Sequence, residues 1–191
     1  MAEKDNQTQL PTPADLARVL RAGVRNAESL KVTAPVRRAV ADRLNRLSQG
    51  AVVPARADVP DQEGTQVQFL DRLDLTKNRV FPTMRMNRSV LWWGIHFWGK
   101  QVEADEVFNA ARWVGLDTDG WALELGARDP DTSADVWPSG GHVRAVRKLP
   151  AEQVEELPTL EELVSQIAAD LWWWHQRLEQ VKVLADWIRV R

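Results

Sequence analysis

Apolar side chains recur at Leu160, Val164, Ile167, Leu171, Trp174, Leu178, Val181, Ala185 and Ile188, alternating steps of four and three without a break. This heptad-like stripe predicts a long amphipathic helix that closes the chain. Thr159 and Glu162 have the spacing of a capping box, Pro158 ends the preceding loop, and Leu157 is placed to staple the first turn. About 30 residues at 1.5 Å each span roughly 45 Å, and a compact chain of this length has a diameter of roughly 40 Å. The helix is therefore expected to cross or overhang the whole domain, either pairing with the N-terminal hairpin in a bundle or pairing in part with another chain.

Helical periodicity also marks the N-terminal quarter. Leu16, Val19, Leu20, Val24, Ala27 and Leu30 repeat at three- to four-residue steps, behind Thr12 as a cap, Pro13 in the first helical position and Asp15 in the first turn. Gly23 should weaken this first helix slightly. A second helix is expected after Thr33, with Val36, Val40, Leu44 and Leu47 as its apolar edge and Gly50 as its stop. On that reading the connection from Gly23 to Pro35 is too long for a DNA-reading helix-turn-helix, whose turn is about 3–4 residues.

Beyond Gly64 the period changes to two. Thr65, Val67 and Phe69 alternate with glutamines, and Arg79–Met86 reads as a further strand that Pro82 assigns to an edge or a bulge. Val90–Trp98 is apolar at nearly every position, as a central strand covered on both faces would be, with a helix opened by Ser89 as the alternative. Glu103–Val114 reads as a helix. Trp121, Leu123 and Leu125 alternate as a half-buried strand, and His142–Val146 pairs with it as a hairpin. The expected class is α+β: an N-terminal basic helical hairpin, a small, mostly antiparallel tryptophan-rich sheet with one helix, and the long C-terminal amphipathic helix. The expected division is a disordered tail over 1–11, the helical hairpin over 12–50, a linker or loop over 51–64, and an α+β core over 65–191 that forms one compact unit with the hairpin.

Charge divides the chain in two. Residues 1–100 carry 16 Lys/Arg against 10 Asp/Glu, and residues 101–191 carry 9 against 17. Such asymmetry marks either a surface that faces an acidic partner or nucleic acid, or two halves that neutralise each other across an internal interface. The arginines of the hairpin, Arg18, Arg21, Arg25, Arg37, Arg38, Arg43 and Arg46, are the candidate phosphate contacts, since the guanidinium fork matches phosphate geometry. Those of the second helix are expected around its exposed side.

The chain has no cysteine, which removes disulfides, thiolate zinc sites and cysteine nucleophiles and fits a cytoplasmic setting. The polar N-terminus does not read as a signal peptide, and no apolar run approaches the roughly 20 residues of a membrane span. Asp129, Asp131, Ser133 and Asp135 alternate like the start of a calcium loop, but Ala134 and Gly140 stand where the loop needs glycine and glutamate. His96, His142 and His175 form no ligand spacing. No catalytic, cofactor or metal residues are assigned.

Ten tryptophans, all between Trp92 and Trp187, outweigh these weak signals. Trp172, Trp173 and Trp174 are consecutive on the C-terminal helix and point in three directions. Trp174 lies on the apolar stripe, and Trp92, Trp93 and Trp98 are expected in the sheet core. Trp172, Trp173 and Trp187 are left as interface candidates. The expected function is a non-enzymatic subunit of a larger cytoplasmic assembly, docking a protein partner or a second copy through this helix. The alternatives are a nucleic-acid-binding accessory using the arginines and an enzyme whose site sequence does not display.

Overall fold

The computed structural model describes residues 9–23, 27–47, 54–55, 66–69, 73–75, 78–87, 89–99, 120–126 and 142–176. The fold is α+β. Helices α1 (Pro13–Ala22) and α2 (Ala27–Leu47) precede seven strands: β1 (Pro54–Ala55), β2 (Gln66–Phe69), β3 (Leu73–Leu75), β4 (Asn78–Asn87), β5 (Val90–Gly99), β6 (Ala122–Gly126) and β7 (His142–Pro150). Two helices follow, α3 (Ala151–Glu155) and α4 (Glu161–Gln176). The strands form one antiparallel sheet in the order β1-β2-β4-β5-β7-β6, with β3 also paired to β4. Among the described residues no helix is long and apolar enough to cross a membrane.

The long strand at Val90–Gly99 is central, lying between β4 and β7. Its pleat explains its composition. Leu91, Trp93 and Ile95 face the helices with Met84, Met86 and Ala145, while Trp92 is buried with Thr83 and Val146 on the other side of the pleat. The hairpin of β6 with β7 also forms, with Ala122 opposite Val146 and Gly126 opposite His142. The expected helix at 103–114 lies outside the described residues.

Pro82 does not mark an edge. β4 is an interior strand, but β2 pairs only with Thr83–Arg85 and β3 only with Asn78–Val80. Phe81 and Pro82 fall in the gap between these two short partners, where a missing N–H costs the ladder least.

The helical hairpin turns earlier than its periodicity suggests. Thr12 caps α1, accepting from the Asp15 N–H at 3.1 Å, and Gly23 stops it in the left-handed region at φ 57°, its N–H donating to Val19 and Leu20. The second helix then starts at Ala27, not after Thr33, and runs through Pro35. A proline inside a helix loses one backbone bond and is ordinarily unfavourable by about 3 kcal/mol. Burial of Val36, Val40 and Leu44 where α2 lies along α4 opposes that loss. The connection between helices is thus short, and its length no longer argues against a helix-turn-helix. Their packing does: α2 buries its apolar edge on α4, and α1 packs mainly on α3.

Short α3, which periodicity does not predict, joins these layers. The β4–β5 connection is tight, since Asn87 pairs with Val90, and Ser89 lies in it. Ser89 sits at φ 61°; its N–H donates to Leu20 at 2.8 Å, and its carbonyl accepts from Ala151 at 2.8 Å. One turn residue therefore links the end of α1 to the start of α3. Since only the backbone makes these bonds, Ser89→Gly should raise stability by about 0.5 kcal/mol by relieving the left-handed conformation. Ser89→Val should lower it by about 1 kcal/mol, because a β-branched residue is poorly tolerated there. Thermal melts of the three proteins in the reverse order would refute this reading of the turn.

The apolar stripe forms α4 over Glu161–Gln176, with Leu160, Val164, Ile167, Leu171 and Trp174 all buried. Its first hydrogen bond runs from the Val164 N–H to the Leu160 carbonyl, so the helix begins one residue later than the spacing of Thr159 implies. The stripe positions beyond Gln176 lie outside the described residues.

Candidate interaction site

A cluster of indoles forms where α4 crosses the sheet. Successive helix residues are about 100° apart, so Trp172, Trp173 and Trp174 must diverge. Trp174 is fully buried and meets Trp121 edge to face at 5.2 Å and Trp173 at 4.8 Å. Trp173 is half-buried and stacks on Trp121, with centroids 6.2 Å apart and planes 19° apart. Trp172, also half-buried, stacks on His175 one turn later at 5.1 Å. Both lean on the core without being enclosed by it.

Register builds the other wall. Trp93 on β5 is opposite Arg147 on β7, and Trp121 immediately precedes β6, one step beyond the pairing of Ala122 with Val146. Trp93, Arg147 and Trp121 therefore line up across three strands on the face that α4 covers. Asp170 descends from α4 between them. It accepts from the Trp93 indole N–H at 2.8 Å and from Arg147 at 2.9 and 3.0 Å. The Arg147 guanidinium in turn lies over the Trp121 ring, 4.6 Å from its centroid. Ionic, hydrogen-bonding and aromatic contacts thus fix the position of α4, and with it the two half-buried tryptophans.

Sequence reasoning left out Arg147 and Asp170. Asp170 carries a signal: it is the one acid between Glu162 and Gln176, beside the apolar stripe of the helix. Arg147 carries none, because its position opposite Trp93 depends on strand register. Of the three interface candidates, Trp172 and Trp173 are neighbours at this site and Trp187 lies outside the described residues.

Of the six hairpin arginines among the described residues, one is buried and two pair with carboxylates. Arg18 pairs with Asp15 at 3.0 Å. Arg21 bonds Glu155 and approaches Glu152 at 3.7 Å, joining the basic half of the chain to the acidic half. Arg37 is buried, contrary to its expected place on the exposed side of α2. Arg38, Arg43 and Arg46 are exposed on α2, with Arg43 donating to the Ser165 hydroxyl at 2.8 Å. Arg25 lies outside the described residues, as does the alternating run at Asp129–Asp135.

The hydrogen bond from Arg21 holds the Glu155 carboxyl below its ordinary range, and Glu155 in turn raises Arg21. Hydrogen bonds from Thr12 and then Arg18 lower Asp15 likewise. Both carboxyls have depressed folded-state values. Their contribution is therefore present above the unfolded carboxylate range, near pH 4, and is lost as pH falls through the folded values. Both are exposed, so the expected effect is small. Arg21→Gln should flatten the acid limb of the stability profile slightly; an unchanged limb would remove this ion pair from the pH dependence.

Comparison of the chain with protein families, with curated proteins and with solved structures finds no match.

Proposed function

We propose that this chain is a non-enzymatic interaction subunit of a larger cytoplasmic assembly, docking a protein partner or a second copy through the tryptophan-bearing face of α4. The observation that supports this is the half-burial of Trp172 and Trp173 beside a fully buried Trp174. A tryptophan brings about 150–250 Å² to a contact, and such residues dominate binding energy when a partner completes their burial. Stacking on Trp121 and His175 holds both rings in place before any partner arrives. Docking then loses little side-chain entropy, which favours affinity. Trp187 follows Trp173 by two heptads and is included as a companion.

Trp172→Ala is expected to weaken association by about 2 kcal/mol or more, roughly thirtyfold, while leaving the circular dichroism spectrum intact. Light scattering reads self-association, and affinity capture from the source cell extract reads a heterologous partner. Unchanged association in both assays would remove α4 from the proposal.

A second reading, nucleic-acid binding, is favoured by the exposure of Arg38, Arg43 and Arg46 along α2. It requires an affinity that falls steeply with salt. It is the weaker of the two, because Arg18 and Arg21 are engaged by carboxylates and Arg37 is buried. Absence of nucleic-acid binding at low salt would end it.

A further inference from the structure

We draw no further inference here: the strongest candidate, the recess of about 440 Å³ between β7 and α4 lined by Trp93, Leu149, Leu157 and Leu163 together with Arg147 and Glu162, is a largely apolar hollow for which nothing in the structure shows what covers or fills it.

Discussion

Gly94→Ala should be the most damaging single-methyl change in the described fold. Gly94 lies in the middle of β5 at φ 151°, facing Thr83 on one side and Val146 on the other. A Cβ there would stand 2.0 Å from the Ala145 carbonyl oxygen and 3.0 Å from the Val146 Cα. Those are backbone atoms of a paired strand, so relief requires β7 to move and lose ladder bonds. Strained backbone and overpacking each cost about 1–3 kcal/mol, and together about 3 kcal/mol or more is expected. That is a large share of the 5–15 kcal/mol typical of a domain. Gly120→Ala is the control. Gly120 also has positive φ, 78°, but the nearest atom to its Cβ is the end of the Arg147 side chain at 3.9 Å. It should lose only the left-handed preference, about 1–2 kcal/mol. Urea midpoints give the comparison, and equal losses at the two positions would contradict the close approach of β5 and β7.

Asp170→Ala should cost about 2 kcal/mol and loosen α4 from the sheet. The Asp170 side chain is 16% exposed and that of Arg147 29%, so the pair is shielded but not sealed. Full burial would predict a loss of 3–5 kcal/mol on breaking the pair; partial solvent screening reduces it. The Trp93 N–H loses its acceptor in the same change, and an unsatisfied donor at a shielded site costs about 1–3 kcal/mol. Asp170→Asn retains an acceptor for Trp93 and should be milder. A double-mutant cycle with Arg147→Met separates the two contributions, with a coupling of about 1 kcal/mol expected. A loss below about 0.5 kcal/mol for Asp170→Ala would place the residue among ordinary surface positions and undo the argument that it fixes α4.

Much of this architecture is legible in the residues. Alternation exposes the strand after Trp121, and an all-apolar run exposes the central strand, because a strand covered on both faces has no polar side to show. The stripe from Leu160 to Trp174 marks the buried face of α4, and the 100° step between residues already separates Trp174 from its neighbours. What sequence misreads depends on contacts between distant elements. Gly23 reads as a mild weakness but ends α1, where the Leu20 carbonyl also meets the Ser89 N–H from a sheet turn. Pro35 reads as a boundary yet is carried inside α2, whose apolar edge is buried against α4. Pro82 is tolerated in an interior strand only because its two partners on one side are short. Arg37 looks like a surface cation until the helix phase and its neighbours bury it.

The candidate site shows the same division. Helix periodicity alone singles out Trp172, with Trp173 and Trp187 as companions, from the tryptophans expected in the core. The wall that steadies Trp172 and Trp173 is invisible before the strands are paired, because Trp93, Arg147 and Asp170 come from three separate elements and Trp121 from the residue before a fourth. Their meeting is a consequence of register: Trp93 opposite Arg147, and α4 laid across both.

Oxidative footprinting of the tryptophans, in the free chain and in its isolated complex or oligomer, tests docking through α4 most directly. Trp172 and Trp173 should be modified in the free chain and protected on association, while the fully buried Trp174 stays protected in both. Equal modification of Trp172 and Trp173 in the free and associated states would contradict docking through this face.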